Sequence, residues 1–148
     1  MRAVITRVRE ASVTIEGRVN GAIGQGFLVL LGVGPNDTET VCDKLAEKVC
    51  NLRILEDENG RMNRSLEQVG GSLLVVSQFT LYADTSSRRP GFTGAAKPDL
   101  AIPLYERFLA RCRDRGFDVQ HGEFGADMQV FSINDGPVTI LLDTDGKL

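Results

Sequence analysis

Leu73-Leu74-Val75-Val76-Ser77-Gln78-Phe79-Thr80-Leu81-Tyr82 decides how this chain is read. Its four leading apolar residues follow Gly70-Gly71 and form an unbroken run, the pattern of a strand buried on both faces. A core strand normally ends in a Gly, Pro or Asn turn, but this one runs into polar Ser77, Gln78 and Thr80. Polar side chains at the end of a central strand cost stability unless they are hydrogen-bonded or put to use. A plain polar strand exit and a functional site are equally compatible with these residues alone.

Working outward, residues 2 to 9 and 11 to 16 read as strands, with Val13 and Ile15 alternating against Ser12 and Thr14. Glu16-Gly17 and Val19-Asn20-Gly21 are turn candidates. Phe27-Leu28-Val29-Leu30-Leu31 reads as a second central strand, ended by Gly32, Gly34 and Pro35. Asp37 or Thr38 then caps a helix whose Val41, Cys42, Leu45, Ala46 and Val49 share one face. Leu52 to Leu55 is a short strand, and Glu58-Asn59-Gly60-Arg61 carries a hairpin signal. Pro98-Asp99 opens a second helix, with Leu100, Leu104, Phe108 and Cys112 as its buried stripe and Gly116 at its end. Phe117 to His121, Met128 to Ile133 and Val138 to Leu142 complete the strands. The expected fold is α+β, a curved, antiparallel-rich sheet or barrel with two main helices, in one domain spanning residues 1–148.

Composition narrows the chemistry. No apolar run approaches the ~20 residues of a membrane span, and the alternating start has no signal-peptide core, so a cytoplasmic protein is expected. The three cysteines form no CxxC pair, and Cys42 and Cys112 sit on helical stripes as small core hydrophobes. The one histidine, His121, has no ligand spacing around it, so neither a protein-built metal site nor a His-based triad is expected, nor any cofactor. The net charge of −3 advertises no nucleic-acid binding, yet 13 of the 17 basic residues are arginine. Arg88 and Arg89 form one cluster; Arg107, Arg111, Arg113 and Arg115 form another. Arginine is a good phosphate fork. For the second cluster, a solvated helix face with i,i+4 spacing is the plainer reading.

Two further features stand out. Ala83 to Lys97 is a loop of fifteen residues, longer than most connections in compact domains, and it carries Arg88, Arg89 and the aromatic Phe92. Asn134-Asp135-Gly136-Pro137-Val138-Thr139 lies between two apolar strands, where a simple hairpin would do. An X-Pro bond can be cis at modest cost, which would point two neighbouring carbonyls to one side; a plain trans turn is the alternative.

Ser77-Gln78-Phe79-Thr80-Leu81 together with Asn134-Asp135-Gly136-Pro137-Val138-Thr139 resembles the paired signature of D-aminoacyl-tRNA deacylases. The resemblance covers essentially the whole chain, including Arg7-Val8, Ala11-Ser12-Val13-Thr14, Gly70-Gly71-Ser72 and Gly125-Ala126-Asp127-Met128. Either motif alone is weak; the two in this order and spacing are specific. Gly91 departs from the serine usual in the family's Arg-Pro-Ser-Phe segment.

The resemblance implies hydrolysis of the ester between a D-amino acid and the 3′-terminal adenosine of tRNA, with mischarged glycyl-tRNA also accepted. It implies a homodimer in which the Gly-Pro turn of one subunit completes the active site of the other. Carried over by residue, Arg7 braces that turn, Gly136-Pro137 is cis and binds substrate, the main chain of Ser77, Gln78, Phe79 and Thr80 lines the catalytic pocket, and Ala101 forms its wall. Amides such as those of Phe79 and Thr80 could stabilise the carbonyl oxygen as it becomes negative. With no usable histidine, proton transfer falls to Thr80, to water or to the substrate. The family points to the 2′-hydroxyl of the terminal ribose, in preference to Thr80 as a covalent nucleophile. Two rival readings are a trans Gly-Pro deacylase acting on L-aminoacyl-tRNA and a non-enzymatic nucleic-acid-binding dimer.

Overall fold

The first strand, β1 (Arg2–Ile15), is one unbroken element where two were expected. It continues through Arg9-Glu10 because the chain is paired on either side of them: β8 (Gln129–Asp143) lies along one edge, and β3 (Gly26–Gly32) then β2 (Arg18–Ile23) along the other. The expected turn at Glu16-Gly17 joins β1 to β2, with both residues at positive φ. The second turn candidate is not a turn. Val13 pairs with Gly21 and Thr14 with Val19, so Asn20 is the extra residue of a bulge within β2. The structure, a computed structural model, describes residues 1–146, so the last two residues of the expected 1–148 domain lie outside it.

β6 (Ser72–Ser77) pairs parallel with β3, and β7 (Val119–His121) pairs parallel with β6. Close approach at the start of the β3–β6 pair requires Gly26: a Cβ there would stand 1.9 Å from the Ser72 carbonyl oxygen. The sheet order is β2-β1-β3-β6-β7, with β8 on β1. Its ends curl toward each other, and the Asn20 amide of β2 donates to the His121 carbonyl of β7 at 2.7 Å. The fold is therefore the expected α+β, with a nearly closed, barrel-like sheet.

Two faces of that sheet bury two sets of side chains. Ile5, Phe27, Val29, Leu31, Leu73 and Val75 pack under α1 (Glu39–Asn51) and α3 (Pro98–Asp114). Val8, Val13, Ile23, Leu28, Leu74 and Val76 fill the inside of the curl. The unbroken apolar run of β6 thus serves both cores, each fully buried Leu or Val contributing about 1.5–3 kcal/mol. Thr38 is the N-cap of α1, accepting from Val41 N–H at 3.3 Å, while Asp37 accepts from Gly34 N–H at 2.6 Å. The cysteines are free and buried, with Cys50 and Cys112 Sγ atoms 3.6 Å apart between the two helices. Burial pushes the Cys42 thiol up to about 12.

Three local expectations change. The strand expected at Leu52–Leu55 is only β4 (Leu55–Glu56), paired with β5 (Met62–Arg64) across the expected Asn59-Gly60 turn. A one-turn helix, α2 (Leu66–Val69), follows, held by a Ser65–Gln68 capping box. The segments Met128–Ile133 and Val138–Leu142 are not a hairpin. Both lie antiparallel to β1 and in line with each other, as parts of β8.

Candidate active site

β6 ends at Ser77 because the chain turns into a 3₁₀ helix, Phe79–Tyr82. Gln78 N–H still donates to the Leu31 carbonyl at 2.8 Å, so the turn starts from a fixed point on β3. Gln78 Nε2 then donates to Thr80 Oγ1 at 2.5 Å, which settles both polar side chains locally. The first N–H groups of a helix have no partner inside it; here those are the amides of Phe79 and Thr80. Ala101 lies nearby on α3. Ala96 N–H donates to the Val33 carbonyl at 2.9 Å and Tyr105 O–H to the Val75 carbonyl at 2.8 Å, which lays the first turns of α3 over this end of β6. Ser77, Gln78, Phe79, Thr80 and Ala101 therefore belong to one region. The neighbouring Tyr82 phenol is pushed above its ordinary value by burial and then by the Asp37 carboxylate, so it stays protonated and offers no base.

Arg7, Gly136 and Pro137 form a second region. From Val8 to Thr6 β1 advances two residues while its partner β8 advances five, from Asn134 to Thr139. The surplus chain forms a pouch around Gly136-Pro137, whose peptide bond is cis. Arg7 holds it from below: Nε donates to the Asp135 carbonyl at 2.8 Å and Nη1 to the Ile54 carbonyl at 2.7 Å. The Arg7 side chain is only 3% exposed, with the Glu56 and Asp135 carboxylates each 3.6 Å away. Burying a charge demands such pairing, and removing Arg7 would orphan two carbonyls at about 1–3 kcal/mol each. Gly136 sits at φ +143°, and a Cβ there would lie 2.8 Å from Val138 N.

Within one chain the two regions do not meet. Arg7 is level with Phe27 and Leu73, whereas Ser77 is level with Leu31 and Ala3. Four residues along the strands separate them, roughly 13 Å at ~3.3 Å per residue, in addition to the width of the intervening strands.

Comparison with known proteins bears on what these regions are. A family model described as D-Tyr-tRNA(Tyr) deacylase matches residues 4–143. The chain belongs to the D-Tyr-tRNA(Tyr) deacylase family. Among relatives of this deacylase-family chain, a D-aminoacyl-tRNA deacylase of Roseiflexus castenholzii is 61% identical over 97% of this chain and 92% of its own length. One from Thermus aquaticus is 57% identical over 99% of this chain and 97% of its own. A solved structure of a c-Myc DNA unwinding element binding protein superimposes with a TM-score of 0.91 at 41% identity, covering 97% and 98% of the two chains. A second, described as a "probable eukaryotic D-amino acid tRNA deacylase", shares the fold with a TM-score of 0.83 at 18% identity, over 95% and 97%.

Sequence reasoning missed two features of this deacylase-family site. The 3₁₀ turn was hidden because Phe79-Thr80-Leu81-Tyr82 favours strand as readily as helix. The Ile54 carbonyl and Glu56, which share Arg7 with the pouch, left no signal: one is a main-chain group, and both are some fifty residues from Arg7 in sequence.

Proposed function

We propose that this chain hydrolyses the ester linking a D-amino acid to the 3′-terminal adenosine of tRNA, as a cytoplasmic homodimer with active sites at the subunit interface. Family membership supports the deacylase activity. The observation that carries the site assignment is the separation of the two motif regions within one chain, which a second copy would overcome. β8 supports that arrangement: its outer edge is unpaired among the described residues, and it exposes Val130, Phe131, Ile133 and Leu141. A long apolar edge strand is a template for association.

In this reading Ser77–Thr80 and Ala101 of one protomer face Gly136-Pro137 of its partner, a turn braced in each chain by that chain's own Arg7. The Gly136 and Pro137 carbonyls take the substrate's amino group, which orients the α-carbon. An L side chain then points into main chain and a D side chain points to solvent, so D-amino acids are accepted broadly. Glycine, with no side chain, is accepted too. Water attacks the ester carbonyl, its oxygen turning negative toward the Phe79 and Thr80 amides; such donors are each worth about 10²–10³ in rate. The ribose 2′-hydroxyl assists proton transfer, the 3′-oxygen leaves with a proton, and free amino acid and tRNA result.

The test is release of amino acid from matched D-, L- and glycyl-tRNA. D- and glycyl-tRNA are expected to turn over at least about 100-fold faster than L-, a difference of ~2.7 kcal/mol. Comparable L and D rates would sink the stereochemical reading. The name of the DNA-binding structural relative favours one second reading, a non-enzymatic nucleic-acid-binding dimer; binding of charged tRNA without release of amino acid would support it instead.

A further inference from the structure

The loop after the 3₁₀ turn is closed by its own hydrogen bonds and presents a surface that, Phe79 apart, the site assignment above leaves unused. Asp84 and Gly91 exchange two main-chain hydrogen bonds, at 2.8 and 3.0 Å, and so close off residues 85–90. Inside, Asp84 Oδ1 accepts from Ser86 N–H at 2.9 Å and Ser87 Oγ donates to the Arg89 carbonyl at 2.7 Å. On the far side Ala95 N–H donates to the Phe92 carbonyl at 3.2 Å.

This frame displays two aromatic rings and two arginines. Phe92 and Phe79 meet edge to face, ring centroids 5.3 Å apart at 75°, yet remain 37% and 53% exposed. Arg88 and Arg89 are exposed, and neither side chain has a hydrogen bond or ion pair among the described residues. The other arginine cluster is committed. Arg107 grips Asp43 with two bonds at 2.8 and 2.9 Å, Arg111 adds a third at 3.1 Å, Arg113 holds the Val119 carbonyl and Arg115 holds Asn51.

We propose that Phe79, Phe92, Arg88 and Arg89 form the seat for the single-stranded RNA leading into the terminal adenosine, a base stacking on the aromatic pair while the two guanidinium groups hold flanking phosphates. The inference rests on the tRNA-deacylase reading, because Phe79 belongs to both surfaces. Exposed aromatic rings beside unpaired cations suit a strand of bases and phosphates, since every base has a π-face. An acidic peptide would use the arginines and leave the rings in water. A net charge of −3 gives no general attraction for RNA, so phosphate contacts must be local.

The test uses the full chain and D-aminoacyl-tRNA over a range of salt concentrations. For the Arg88→Ala/Arg89→Ala double variant, KM is expected to rise about tenfold with kcat within twofold. The salt slope of log(kcat/KM) should fall by about 1.4, at ~0.7 per phosphate contact for single strands. Arg88→Lys/Arg89→Lys retains the slope. Phe92→Ala raises KM by about five- to a hundredfold without changing the slope, and Phe92→Tyr restores it, by analogy with stacking losses at other single-strand sites. Unchanged KM and slope would overturn the proposal. So would a fall in kcat alone, or a change of oligomeric state, since either gives the loop a structural task. Failure of the unmodified chain to release D-amino acid would instead count against the deacylase reading, so the two failures are distinct.

Discussion

The two regions of the candidate site are built in opposite ways. The Ser77–Thr80 region leaves a buried central strand, and its side chains Gln78 and Thr80 are settled by near neighbours: Gln78 N–H on Leu31, Gln78 Nε2 on Thr80. The Gly136-Pro137 region interrupts an exposed edge strand and is held chiefly by one buried guanidinium. One region is positioned by the core; the other is a braced projection whose Gly136 and Pro137 are exposed. Preorganised donors on a turn anchored to a core strand suit charge stabilisation, which needs little reorganisation during reaction. A braced projection suits insertion into a neighbour.

The sharpest way to break this contrast is Gly136→Ala. Alanine is strained at φ +143°, and its Cβ would meet Val138 N at 2.8 Å. Strain of ~1–3 kcal/mol plus the displaced pouch should lower kcat/KM for D-aminoacyl-tRNA by about 10³-fold, while the melting temperature falls by only about 2–12 °C and the chain stays folded at assay temperature. Wild-type kinetics from this variant would show that the pouch is not part of the site.

Ile133→Lys tests whether the projection works on a partner. Ile133 is exposed on the edge strand, and a charge there opposes edge association. Analytical ultracentrifugation should show monomer, with activity down about 10²-fold and partly recovered at high protein concentration. A fully active monomer would place both regions in one chain and undo the dimer reading.

The smallest effect expected is that of Thr80→Val. The main-chain amide survives and only the hydroxyl that accepts from Gln78 is lost. If the amides carry the chemistry, kcat falls less than tenfold; loss of a covalent nucleophile would cost several orders of magnitude more. Steady-state kcat decides between them.

What was legible in the residues follows the same division. Leu73–Val76 and Phe27–Leu31 announced central strands because burial on both faces leaves no room for polar residues. Both helices were readable from their stripes, and the Ser65–Gln68 capping box could have revealed α2. The misreadings concern chain that looks like a turn but is not one. Asn20-Gly21 is a bulge, and Asn134–Pro137 is a pouch within a single strand. Local composition encodes a willingness to bend, not the direction taken afterwards.

The sequence by itself determined the α+β class, the buried strands and helices, and, through two motifs in order, the family. Those depend on periodicity and residue type, which are local. The tertiary structure alone decided that both flanks of Gly136-Pro137 run along β1, that Arg7 reaches the Asp135 and Ile54 carbonyls, and that the two motifs of one chain stand apart. Strand register and main-chain hydrogen bonds set those relations. Every residue has the same main-chain groups, so no sequence pattern marks which will be used.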